Sequence, residues 1–185
     1  GFPAEGLAVM LLGPGLGSAV DEDLAGSEYL QVMHGLTAGQ PRINLQLERR
    51  VQESVREGIG EGLIKSAHDC SDGGLGVALA ESCILGGVGF HGNLDAVRWD
   101  VALFGEKQSR IVVSLDPADI PKLTDLARSR GVPLASLGRT GGYRLVLRIG
   151  DEATNDGSNG GPPAIDLPLE RMSEAWMHAL EDMGD

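Results

Sequence analysis

His68-Asp69-Cys70-Ser71-Asp72-Gly73-Gly74-Leu75 closes one apolar run and opens another, with polar donors and acceptors and then two glycines at the join. Ile64, Ala67 and their neighbours read as a short buried strand before it. Leu75, Val77, Ala78, Leu79 and Ile84 read as the apolar side of a helix after it. The stretch therefore sits on a strand-to-helix turn. There Gly73 and Gly74 permit backbone angles and a close approach that a Cβ would hinder, and the first N–H groups of the new helix point outward with partial positive charge. A phosphate or carboxylate suits that end. Asp69 and Asp72 put two negative charges beside the same spot, so a bare anion is repelled unless Mg²⁺ or a basic residue intervenes. The carboxylates are equally suited to accept hydrogen bonds from a sugar or an amide. The plainer alternative is that Ser71 or Asp72 is the N-cap of an ordinary helix and the glycines ease its packing. Both readings stand at this level.

Working outward, the residues before the turn carry the clearest helical signal: Leu47, Val51, Val55, Ile59 and Leu63 recur at a helical step, with Asn44 as cap. Gly58, Gly60 and Gly62 weaken the last turns of that helix and allow close packing on the next strand. Further upstream, Leu7 to Leu12 reads as a first strand. Gly13-Pro14-Gly15-Leu16-Gly17 reads as a turn, because it lacks the Gly-Lys-Ser/Thr ending of a P-loop and the spacing of a dinucleotide fingerprint. Ser27-Glu28-Tyr29-Leu30 opens a short helix ending near His34-Gly35.

Downstream, Gly86-Gly87 end the motif helix and Val88-Gly89-Phe90-His91 begins a strand. Phe104 to Arg110 leads into a strand from Ile111 to Leu115, and Asp116-Pro117 starts a helix that stops at Gly131. Val132 to Leu137 and Tyr143 to Ile149 flank Thr140-Gly141-Gly142 and read as a hairpin. Residues 151–163, rich in Gly, Asn, Ser, Asp and Pro, read as a mobile loop. From Pro168 on, Leu169, Met172, Trp176 and Leu180 share one helical face, with Trp176 as a core anchor. The sum is an α+β (mixed α/β) domain with helices covering the faces of a sheet.

At 185 residues and 42% hydrophobic, the chain can bury one substantial core, so a single domain over 1–185 is expected without disulfide staples. A formal charge of −12, with only 15 Lys and Arg, argues against nucleic acid or an anionic membrane as partner. Cys70 and Cys83 are too few for a zinc cluster and read as reduced thiols, as in a cytoplasmic protein. The Leu7 to Leu12 run is far too short to span a bilayer. A chain that starts at Gly1 without Met suggests a processed product or a fragment.

Three blocks carry a family resemblance: Gly26-Ser27-Glu28-Tyr29; then Ser66-Ala67-His68-Asp69-Cys70-Ser71-Asp72-Gly73-Gly74-Leu75 with Val77 to Glu81; then Leu103-Phe104-Gly105-Glu106-Lys107-Gln108-Ser109-Arg110. In this order they resemble the phosphoribosylformylglycinamidine synthase family, more narrowly the last domain of its synthetase chain, over about Leu7 to Trp176. AIR synthase, thiamine-phosphate kinase and selenophosphate synthetase carry related turns. The resemblance implies a sandwich of a mixed sheet covered by helices, like the C-terminal domain of AIR synthase. It also implies a part in an ATP-dependent amidation: the amide oxygen of formylglycinamide ribonucleotide is phosphorylated, and ammonia from glutamine displaces the phosphate. ATP and Mg²⁺ are the implied cofactors, held mainly by an N-terminal-type domain that is not visible in this sequence.

Implied partners are the remaining domains of the synthetase chain, a glutaminase subunit, a small accessory subunit and a small-molecule nucleotide. The match is to the second copy of this domain type, in the half where an auxiliary nucleotide site can lie. The resemblance places His68, Asp69, Ser71, Gly73 and Gly74 on an inter-domain cleft, with Glu106 and Gln108 lining it in hydrogen-bonding roles. His68 is then an orienting partner rather than a base. No catalytic residue is assigned, and Asp69 and Asp72 are the candidate metal contacts. Lys107 differs from the family's Glu-Ser-Gln form. A non-catalytic scaffold domain of the same enzyme, or the matching domain of a related ATP-dependent kinase or synthase, are the alternatives. Without its neighbouring domains the chain would expose apolar surface, which makes a homodimer an expectation.

Overall fold

Five consecutive apolar residues form β1 (Ala8–Leu12), and all five are buried, so this strand must be covered on both faces. Val9 and Leu11 point into one core, and Ala8, Met10 and Leu12 into the other. A computed structural model describes residues 1–16, 21–94, 96, 98–150 and 164–178; the expected loop over 151–163 and Leu180 lie outside them. After β1 come α1 (Glu28–His34), α2 (Leu45–Gly60), β2 (Ile64–Asp69), α3 (Gly74–Gly86), β3 (Phe90–Leu94), α4 (Trp99–Phe104) and β4 (Ile111–Leu115). Then follow α5 (Ile120–Ser129), β5 (Leu134–Thr140), β6 (Arg144–Ile149), β7 (Ile165–Pro168) and α6 (Leu169–His178). The seven strands make one mixed sheet in the order β2-β4-β1-β5-β3-β6-β7, in which β3 and β6 are parallel and every other pair is antiparallel.

Helices α2 and α5 cover one face, packing Val51, Val55, Leu123 and Ala127 on Met10, Leu12, Val113 and Leu115. Helices α3, α4 and α6 cover the other, where Leu75, Leu79, Ala102, Leu103 and Met172 meet Val9, Leu11, Val112 and Leu145. Each buried Val or Leu contributes about 1.5–3 kcal/mol relative to exposure. The expected two-faced architecture is therefore present.

Several local expectations change. The expected hairpin is split: β3 lies between β5 and β6, pairing Phe90 with Thr140 on one side and with Leu145 on the other. The Gly141-Gly142 turn steps over it, with Gly141 N–H donating to Gly89 O and Gly89 N–H to Gly142 O. Inserting β3 buries Phe90 and Leu94, which a local hairpin would leave outside. Strand β2 is an edge strand rather than a buried one, and Ala67 on it is exposed. On α2 the buried stripe runs through Val51, Ser54, Val55 and Gly58, while Ile59 is 51% exposed and Leu63 lies beyond the helix. Gly58 does give the close packing expected of it, since a Cβ there would stand 2.7 Å from Ile64 Cδ1. Trp176 is 46% exposed, and α6 is anchored by the buried Met172 with the half-buried Leu169, so the aromatic is no core anchor. Helix α4 and strand β7 had no clear sequence signal, being six and four residues long.

Candidate functional site

The turn between β2 and α3 is built by its glycines. Gly73 (φ +77) is the N-cap residue and Gly74 (φ +66) the first residue of α3, both in the left-handed region that suits glycine. A Cβ on Gly74 would lie 2.9 Å from the carbonyl oxygens of Leu103 and Gly105, so the turn presses directly on the end of α4. Neither Ser71 nor Asp72 caps the helix, contrary to the plainer reading. The Ser71 hydroxyl instead donates to the Asp69 carboxylate in a very short contact. That bond is the main reason the Asp69 carboxyl sits below its ordinary range; its own backbone N–H and the nearby His68 lower it further, against a burial cost.

The missing cap arrives from a distant part of the chain. Glu106 Oε1 accepts the Gly73 N–H at 2.9 Å and also the Glu28 N–H, the first of α1, at 2.8 Å. One carboxylate oxygen thus joins all three sequence blocks. Beside it Lys107 pairs with Asp23 at 3.0 Å, and Gln108, exposed, donates to the Glu106 carbonyl at 3.3 Å. Arg110 is only 2% exposed. Its Nε and Nη2 donate to the carbonyls of Pro14 and Gly15 at 2.9 and 3.2 Å, which ties the glycine-rich turn to β4. Burial lowers its pKa, partly offset by Asp23 and Cys70. Ser109 between them holds the one positive φ (+68) among described non-glycine residues.

His68 is half-buried and faces α3, with Nε2 3.2 Å from Glu81 Oε2 and Nδ1 2.8 Å from the Asp69 carbonyl. Two clefts are lined by parts of the Glu106 to Ser109 segment. One, of about 320 Å³, is lined by Glu22, Asp23, Gln40, Arg42, Glu106 and Gln108 among others; its neighbour, of about 280 Å³, by Pro14, Arg42, Leu47, Lys107 and Ser109 among others. The fold therefore brings Glu106 to Gly73 and puts Glu106 and Gln108 on a cleft. His68, Asp69, Ser71, Gly73 and Gly74 do not line either space. The larger groove of about 460 Å³, walled by Glu53, Arg56, Glu57 and Arg130, lies on the α2 and α5 side and consists of paired surface charges. Cys70 and Cys83 are free and buried, and burial pushes both thiols up to about 12, which makes them inert.

Among the described residues no three His, Cys, Asp or Glu side chains gather to hold a metal, and no helix is long and apolar enough to cross a membrane. Asp69 and Asp72, both exposed, remain adequate for a Mg²⁺ that arrives with phosphates, since such an ion needs only one or two carboxylates. Sequence reasoning missed the Asp23 and Lys107 pair and the buried Arg110, because neither has a local pattern; the departure at Lys107 was the only available signal.

Residues 4–149 match the family described as AIR synthase related protein, C-terminal domain. The chain is 44% identical, over 97% of its length, to the phosphoribosylformylglycinamidine synthase subunit PurL of Thermomicrobium roseum. It is 50% identical, over 98% of its length, to the same subunit of Synechococcus sp. strain JA-3-3Ab. It spans 23% of the length of each of these curated relatives. Among solved structures, T. maritima PurL complexed with FGAR superposes with a TM-score of 0.70, covering 92% of this chain and 28% of that one at 18% identity, a likeness of fold.

Proposed function

Because this chain belongs to the family of AIR synthase related C-terminal domains, we propose that it forms the C-terminal domain of a phosphoribosylformylglycinamidine synthase synthetase chain and supplies one wall of a nucleotide or phosphate cleft. The observation that carries this reading is the 44% identity running through 97% of the chain, all three blocks included. The reaction would be the ATP- and glutamine-dependent conversion of formylglycinamide ribonucleotide to formylglycinamidine ribonucleotide, in the cytoplasm. The glycinamide carbonyl oxygen attacks the γ-phosphorus, ADP leaves, and ammonia then displaces phosphate from the activated carbon. An amide oxygen is a poor nucleophile, so such a site works by holding Mg²⁺-neutralised ATP in line with it.

In this proposal residues 1–185 are one domain. Other domains of the same polypeptide supply the opposite wall, and glutaminase and accessory subunits supply ammonia and assembly. Asp69 and Asp72 face Mg²⁺ carried by the nucleotide, Gly73 and Gly74 let the ligand approach the backbone, and His68 and Ser71 hold Asp69 in place. Gln108 serves the neighbouring cleft. Among the described residues no nucleophile stands beside His68, and the isolated chain would be inactive alone.

A scaffold role is the second reading, favoured by one observation: the Gly73 N–H and the Glu106 carboxylate already satisfy each other. Calorimetric titration of ATP with and without Mg²⁺, into the chain and into Asp69→Ala, separates the two. Saturable, Mg²⁺-dependent binding lost in the variant supports the cleft. Binding that survives the substitution moves the nucleotide off the turn, and no binding to either protein favours the scaffold.

A further inference from the structure

We infer that Glu106 is a positioning residue, whose Oε1 atom pins α1 to the start of α3 and so sets the shape of the turn. Its significance for a ligand rests on the proposed cleft; the pin itself does not. Glu106 is 33 residues from Gly73 and 78 from Glu28, yet it accepts both N–H groups on one oxygen, at 2.9 and 2.8 Å. A carboxylate oxygen has room for two donors, and hydrogen bonds to an ionised acceptor are the stronger kind.

Helix α1 needs such a tether, because none of its seven residues is buried. It is also held by the Tyr29 ring, stacked on Phe104 at 4.9 Å between centroids and 4° between planes and edge-on to Trp99 at 6.4 Å. Phe104 and Glu106 flank Gly105, whose place is tightly fixed: a Cβ there would stand 2.5 Å from the Val101 carbonyl. Lys107, paired with Asp23, anchors the following residue. The stacked ring and the Glu106 carboxylate thus tie α1 to the same segment, residues 104–106, and that segment also caps α3. An anionic group that takes the Gly73 N–H must displace Glu106, which frees the Glu28 N–H in the same event. Occupancy of the turn and the position of α1 are therefore coupled through one atom.

Residue-resolved amide hydrogen exchange on the protein tests the pin, with Glu106→Ala and Glu106→Gln. In Glu106→Ala, exchange at Gly73, Glu28 and through α1 should rise about tenfold or more, the equivalent of one charged hydrogen bond. Amides of α2 and β4 should hold their rates. Glu106→Gln keeps an acceptor oxygen in place, so protection should return, while the Gly73 and Glu28 amide proton resonances both move upfield as a neutral acceptor replaces a carboxylate. Should Glu106→Ala fail to fold, that paired movement in Glu106→Gln decides alone. If the two amides respond separately, or neither responds, the pin is refuted. If they respond together but the protein never binds Mg²⁺ and ATP, the pin stands and the cleft falls.

Discussion

Helices α2 and α3 begin in opposite ways. Helix α2 carries its own cap, since the Asn44 side chain accepts the N–H groups of Gln46 and Leu47, and it shows one buried stripe to the sheet with charges opposite. Helix α3 has no side-chain cap of its own, starts on two left-handed glycines, and buries Leu75, Ala78, Leu79, Ser82 and Cys83 along one face. Its cap comes from Glu106, on another segment. A helix that only covers a sheet can be finished locally. One whose first residues press on distant segments is constrained by those neighbours, and its sequence gives up ordinary capping to satisfy them.

The largest effect that would break this contrast lies at the glycines. Gly74→Ala must place a Cβ at φ +66 and 2.9 Å from two backbone oxygens that cannot swing away, so it should cost about 3 kcal/mol. Gly60→Ala, at the exposed end of α2 with nothing within 4 Å of its Cβ, should gain about 0.5 kcal/mol. Urea unfolding midpoints at constant slope measure both. Similar costs at the two positions would mean that the α3 turn is no more constrained than a helix end.

A smaller effect sharpens the account of capping. Asn44→Ala should lose about 1 kcal/mol, the usual cost of a removed cap. Ser71→Ala should lose about 0.3 kcal/mol, because its hydroxyl serves Asp69 and no N–H of α3. A loss at Ser71 equal to that at Asn44 would restore the ordinary cap that the turn's sequence also suggests.

The same contrast explains what was legible in the sequence. The Asn44 cap, the α2 stripe, the strand at Leu7 to Leu12 and the turn at Gly73-Gly74 all declare themselves within a few residues, so local periodicity and turn chemistry find them. The slot that β3 takes between β5 and β6 is decided by burial of Phe90 and Leu94, a tertiary preference that overrides a plausible local hairpin. The family resemblance marks Glu106 as a cleft residue, but its partners at Glu28 and Gly73 are backbone N–H groups, which no residue pattern advertises. Trp176 shows the reverse failure: its spacing matches a core face, yet it stays 46% exposed one turn beyond the buried Met172.

The smallest effect concerns charge at the turn. The Asp69 carboxyl is held below its ordinary range in the folded chain, first by the Ser71 hydroxyl, while in the unfolded chain it titrates normally. A depressed folded value means that the contribution to stability is complete above the unfolded pKa and disappears as pH falls through the folded one. Asp69 is exposed, so solvent screening limits that contribution to about 0.3 kcal/mol. Asp69→Asn should therefore be slightly less stable than the parent near neutrality and equal to it in acid. In Ser71→Ala the Asp69 side-chain carbon resonance should titrate at a higher pH than in the parent. An unshifted titration would show that Ser71 does not hold the carboxylate, and would leave Asp69 as open to a ligand as Asp72 beside it.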